Sequence, residues 1–182
     1  MREIKKLYPD ESISQRRLIF EEGLLDKFNR LAVYVIFFPF IFFPVFMFFN
    51  EKFVSPNDKF FLYCVFPVSI LLGLYAFYRN ATEKRLIKVD THLGREEARQ
   101  LLLEYAKKQG FEIYRKSNDC LVFNEAYSDF SSTFKKTIIF FVQDNVVLFA
   151  VIRDGFKLNI PTFFTHLILK HDMTKLLIKA GT

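Results

Sequence analysis

Tryptophan is absent from this chain, and cysteine, histidine, glycine and proline are scarce: two, three, six and six residues among 182. Each scarcity removes a class of protein. Two cysteines build neither a disulfide scaffold nor a four-thiolate zinc site. The six glycines stand apart from one another, so there is no Gly-x-Gly-x-x-Gly fingerprint, no Walker loop and no Gly-x-Ser-x-Gly elbow. Collagen-like and low-complexity compositions are excluded as well. Of the histidines, His166 and His171 lie five positions apart. That is about 140° around a helix, which rules out the chelation open to an i, i+4 pair. They and His92 read as surface or boundary residues. Cys120 has no histidine beside it in sequence and reads as an inert buried thiol; Cys64, inside an apolar run, reads as a packing or lipid-facing residue.

What is present in excess is apolar. Hydrophobic residues make up 51% of the chain, and 25 of the 33 aromatic residues are Phe. They concentrate in two 19-residue runs without a charge, Leu31 to Phe49 (LAVYVIFFPFIFFPVFMFF) and Phe60 to Tyr78 (FFLYCVFPVSILLGLYAFY). As helices each spans about 28 Å, close to the hydrocarbon thickness of a bilayer. Neither carries the polar stripe of a surface helix. The sequence therefore predicts two transmembrane helices, 31–49 and 60–78, joined by the polar loop 50–59. Thirty residues precede the first run and no small-x-small site follows it, so it does not read as a cleaved signal peptide.

Charge sets the expected orientation. Arg16, Arg17, Lys27 and Arg30 precede the first run, and Arg79, Lys84, Arg85 and Lys88 follow the second, against only Lys52 and Lys59 in the loop. This bias favours cytoplasmic termini. The same four residues, Arg79, Lys84, Arg85 and Lys88, are candidates for setting topology and for contacting anionic headgroups. The sequon Asn80-Ala81-Thr82 would then face away from glycosylation and reads as chance. In the N-terminal segment, 1–30, the motif Ser12-Ile13-Ser14-Gln15 reads as a helix start, with a possible interfacial helix leading to the membrane.

The third part, 79–182, carries 17 Lys and Arg against 12 Asp and Glu, and so most of the net charge of +6. Strands are expected at Leu86–Val89, Phe111–Arg115, Leu121–Asn124, Lys136–Gln143 and Val146–Arg153, with Asp144-Asn145 as a tight turn. A helix capped by Asp90 or Thr91 carries Ala98, Leu101, Leu102 and Tyr105 on one face and stops at Gly110. Lys107 and Lys108 in its last turn suit the helix dipole. A second helix opens at Pro161 and Thr162 and ends before Gly181. The order β-α-β-β-β-β-α is an α+β domain with a mainly antiparallel sheet. Both alternating sets in TIIFFV and VVLFAVI are apolar, so both faces of the sheet are expected to be covered, either by one helix each or with one face under another protomer or the membrane-proximal segment.

Within the apolar runs, Pro39, Pro44 and Pro67 are candidate helix-kink positions. Ser69, Gly73 and Ala76 form a small-residue face suited to close helix packing, against the first helix or a second copy. Tyrosines apart, no ionisable group of the kind used by carriers and proton relays lies in either run, Cys64 being read as a packing residue. No catalytic motif, cofactor site or metal set is found. Nucleic acid is not an expected partner, because the basic residues carry no interleaved aromatic platform. Glu125, Tyr127 and Asp129, around the irregular stretch 125–133, are the least poor candidates for a polar site.

These readings point to a two-pass integral membrane protein with both termini in the cytoplasm, at the inner membrane in a bacterium. Its expected role is non-enzymatic: an accessory or regulatory protein whose cytosolic domain binds a protein partner or small ligand, with self-association or another membrane protein completing the assembly. One alternative is an oligomeric, ligand-gated pore-forming effector; another is an enzyme on a membrane-bound substrate. The layout occurs in unrelated small membrane proteins and carries over no residue roles.

Overall fold

The computed structural model describes residues 6–50, 60–125, 136–153 and 164–179. The chain divides into two compact units: Gly23–Thr82, and the residues up to Glu22 together with those from Glu83 onward.

The first unit is a pair of apolar helices. Helix α2 runs over Leu24–Phe49; a π-helical turn, Phe61–Val65, leads into α3, Phe66–Thr82. A six-residue helix, α1 (Pro9–Ser14), precedes them and belongs to the other unit. Leu31–Phe49 and Tyr63–Thr82 are long and apolar enough to cross a membrane, and only 17% of each segment's most apolar window is buried. The second helix extends four residues beyond Tyr78, so Arg79 falls in its last turn, where a cation meets the negative end of the helix dipole. Asn80 of the apparent sequon is buried inside this helix. Pro39 and Pro44 lie within α2, whereas Pro67 is the second residue of α3. The wide turn just before Pro67, closed by the Phe66 amide donating to the Phe61 carbonyl, makes room for a ring that would otherwise press on the Tyr63 carbonyl.

The second unit is α+β. Strands β1 (Ile87–Asp90), β2 (Phe111–Lys116), β3 (Cys120–Glu125), β4 (Lys136–Gln143) and β5 (Val146–Arg153) form one sheet in the order β1-β5-β4-β3-β2. Every neighbouring pair is antiparallel. Helix α4 (Arg95–Lys108) follows β1, and α5 (Thr165–Lys179) closes the described chain. The α4 N-cap is Gly94, whose amide donates to the Glu97 carboxylate, and not Asp90 or Thr91. Thr91 instead accepts the Leu93 amide at its hydroxyl and donates to the Leu177 carbonyl, which makes it a turn residue tied to α5. Gly110 ends α4 with φ +70, the left-handed conformation that suits glycine. At the β4–β5 turn, Asn145 has φ 62. The expected opening of α5 at Pro161 and Thr162, and its end before Gly181, lie outside the described residues.

Both sheet faces are covered, in a different way from one helix on each. Helices α4 and α5 lie on the same face. Ala98, Leu102 and Ala106 from α4 and Leu169, Met173 and Leu177 from α5 pack over Phe123, Phe140 and Phe149. The opposite face, with Val122, Ile139, Phe141 and Ile152, is covered by Leu7, Leu18 and Phe20 from the N-terminal segment and by Leu86. That segment is held by backbone pairing. Leu7 bridges Phe20, and Arg17 bridges Arg85, with the Leu18 amide donating to the Lys84 carbonyl at 2.7 Å and Leu86 donating to Arg16 at 3.0 Å. Residues 6–22 are thus part of the α+β unit, not of a leader set apart over 1–30. Ser12 does not start a helix but lies buried inside α1, donating to the Tyr8 carbonyl at 2.6 Å and accepting the Ile19 amide at 2.9 Å.

Candidate functional site

In the helix pair, the small residues of α3 meet the face of α2 that carries Val33, Phe37, Ile41 and Pro44. Gly73 is the point of closest approach. A Cβ there would sit 2.7 Å from Ile41 Cγ1 and 3.4 Å from the Phe37 carbonyl oxygen. Ala76 is fully buried one turn further on. Tyr34 packs edge-on against Phe77, with ring centroids 5.1 Å apart. Ser69 lies 3.2 Å from the Phe40 carbonyl and donates to Phe66 at 2.9 Å. The Phe40 contact has a chemical reason. Pro44 lacks the amide that would bond Phe40 in an unbroken helix, and the single Ser69 hydroxyl proton lies within reach of this carbonyl as well as of its own-helix acceptor Phe66, so the two carbonyls share it.

Beyond Ser69, towards the 50–59 connection, the two helices border an apolar cleft of about 470 Å³. Pro44, Val45, Phe48, Tyr63, Phe66 and Pro67 are among its walls. That volume lies in the range of about 300–1,000 Å³ usual for small-molecule sites. Its lining is apolar, which suits hydrocarbon better than a polar molecule. Elsewhere the helices present phenylalanine outward: Phe38, Phe42 and Phe46 are each roughly half exposed, and their rings stack along one side of α2.

The four basic residues expected to act together are in different states. Lys84 is largely buried, paired with Glu22 at 2.8 Å and set over the Phe20 ring. Lys88 pairs with Asp90 at 2.7 Å. Arg79 is half-buried at the end of α3. Arg85 is exposed, directly opposite Arg17. The sequence placed Arg17 before the membrane only as a unit of charge; the long-range bridge that makes it a neighbour of Arg85 leaves no local signature.

In the α+β unit, Asn124 and Thr137 form a buried polar pair at 2.8 Å, and the Asn124 Nδ2 has no hydrogen-bond partner among the described residues. Cys120 is fully buried, and burial pushes its thiol up from an ordinary value of 9.0 to about 11, opposed by Arg115. It is a packing residue and a poor nucleophile at neutral pH. Burial, reinforced by Asp172, also raises Tyr105. His92 and His171 are exposed. Lys107 and Lys108 occupy the last turn of α4. Glu125 is exposed at the end of β3, while Tyr127 and Asp129 lie outside the described residues. Among the described residues, no group of three His, Cys, Asp or Glu could hold a metal ion.

The edge strand β2 is unsuited to pairing with a further strand. Tyr114 is an extra residue in its register with β3, and Arg115 and Lys116 follow it. Bulges and charges of this kind protect sheet edges. Compared with known protein families, curated proteins and solved structures, the chain matches none.

Proposed function

We propose that this protein is a two-pass membrane protein, anchored by α2 and α3 with both termini in the cytoplasm. Its α+β domain serves as a non-enzymatic accessory or regulatory module, binding a protein partner or small ligand within a membrane assembly. The observation that carries the reading is the outward apolar surface of both helices. A soluble protein of this size rarely leaves so many large apolar side chains in water, whereas in lipid they need no cover. The Ser69 contact with the carbonyl orphaned by Pro44 supports it too, since an unpaired carbonyl is costly in hydrocarbon and cheap in water. A pore is less well supported, because the described faces of these helices offer no polar lining.

Purification in mild detergent, with mass measurement and identification of co-purifying proteins, tests the assembly part. A complex of defined stoichiometry with another membrane protein is expected. A lone chain that turns over a membrane-bound substrate would overturn the non-enzymatic role. Protease treatment of sealed inverted vesicles tests topology: the α+β domain should be digested from the cytoplasmic side.

A further inference from the structure

We propose that Arg17 and Arg85 together form a binding site for the phosphate headgroup of an anionic phospholipid. The proposal rests on the membrane reading above. The two arginines are direct cross-strand partners, and the hydrogen bonds around them, Leu18 to Lys84 and Leu86 to Arg16, are those that flank a non-hydrogen-bonded pair. In such a pair the Cα atoms stand at the closer of the two antiparallel spacings, about 4.5 Å, and the side chains are nearest each other. Like charges placed there repel. Neighbouring Leu18 and Leu86 point into the sheet, so Arg17 and Arg85 point away from it.

Both side chains are exposed, and neither has an ion pair among the described residues, in contrast to Lys84 and Lys88, which have carboxylate partners. Arg16, also exposed, adds a third positive charge beside them. Two forked guanidiniums rooted at directly opposed backbone positions can converge on one phosphate, and an anion between them converts the repulsion into attraction.

The chain itself points to lipid as the source of that phosphate. Arg85 follows the last residue of α3, Thr82, by three positions, a reach of no more than about 10 Å. Arg17 precedes the first residue of α2, Leu24, by seven. Connectivity alone keeps Arg85, and through the bridge its partner Arg17, within a short tether of the last residue of α3, and that tether is about a Debye length for Arg85. The proposal narrows the four-residue basic group read from sequence to Arg85 and adds Arg17, which that group left out.

The test uses the full chain carrying Cys64→Ser, in nanodiscs of phosphatidylcholine with or without phosphatidylglycerol. The readout is the temperature at which the buried Cys120 thiol becomes reactive. Phosphatidylglycerol should raise that midpoint, and Arg17→Gln or Arg85→Gln should each raise about fivefold the phosphatidylglycerol content needed for a given rise. In phosphatidylcholine alone each substitution should instead raise the midpoint, because it relieves the repulsion. Lys107→Gln/Lys108→Gln, with a larger charge change on α4, should respond to phosphatidylglycerol like the parent chain. The proposal is overturned if both arginine variants keep the full response, if they lower the midpoint in phosphatidylcholine, if the lysine variant loses as much, or if inorganic phosphate reproduces the effect. A chain that enters the discs without responding to phosphatidylglycerol refutes this site alone; a chain that does not enter them refutes the membrane reading with it.

Discussion

Adding a single methyl group at Gly73 should loosen the helix pair, and a larger side chain should open it. The methyl of Gly73→Ala would fall 2.7 Å from Ile41 Cγ1, 3.2 Å from Cδ1 and 3.4 Å from the Phe37 carbonyl oxygen. Ile41 has to change rotamer or α2 has to retreat, and overpacking of this kind costs about 1–3 kcal/mol. Replacing glycine by alanine inside a helix returns up to about 1 kcal/mol. The net expectation for Gly73→Ala is a loss of about 0–2 kcal/mol. Gly73→Leu meets the backbone of α2, which no rotamer change can move aside. The helices must part, at a cost of about 3 kcal/mol or more. Parting them also removes the Ser69 contact to Phe40, a share of one hydroxyl proton worth no more than about 0.6 kcal/mol. The measurement is unfolding of the full chain in mixed micelles by titration with dodecyl sulfate, followed by far-ultraviolet circular dichroism. If Gly73→Leu stays within about 0.5 kcal/mol of the parent chain, the scale of ordinary surface substitutions, the close approach of α2 and α3 is refuted.

Two further predictions concern the α+β unit. Leu18→Ala removes a fully covered side chain of the N-terminal segment and should destabilise the unit by about 2–5 kcal/mol in a thermal melt; a neutral result would show that residues 6–22 do not cover the second sheet face. Cys120 gives a pH dependence whose sign is fixed. Its folded-state thiol titrates near 11 against 9.0 ordinarily, so between those values the unfolded chain has lost a proton that the native state retains. Stability should therefore fall as pH rises from 9 to 11, by about 2–3 kcal/mol relative to Cys120→Ala, and the two proteins should differ by a constant amount below pH 8. Equal slopes for both across that window would contradict the buried state of the thiol.

The strands were easy to read because their signal is local. TIIFFV and VVLFAVI are runs of β-branched and aromatic residues joined by Asp144-Asn145, and β4 and β5 occupy the ranges those residues imply. Helix α4 announced its buried face through Ala98 and Leu102. Its start was misplaced because Thr91 uses its hydroxyl for a turn and a contact with α5, while a glycine with no capping side chain takes the N-cap. The cover of the second sheet face was illegible for a different reason. Leu7, Leu18 and Phe20 are too few and too scattered to mark an element, Phe20 falling near helical spacing with Ile13, Leu24 and Phe28. Their segment is held to the sheet by pairing with residues 84–86, more than sixty positions away. The same long-range pairing hid the Arg17–Arg85 neighbourhood. In the helix pair, the small residues Ser69, Gly73 and Ala76 were visible as a pattern; that Ser69 answers the carbonyl freed by Pro44 depends on two helices meeting, which no single run of sequence records.

The most direct test of the account is sedimentation of the intact chain from washed native membranes, first in high salt and alkaline carbonate and then with mild detergent. The account predicts that the protein stays in the pellet through both washes and leaves it, folded, only with detergent. Recovery of folded, monodisperse protein in the supernatant without detergent would contradict it, since the outward phenylalanines of α2 would then have to be stable in water.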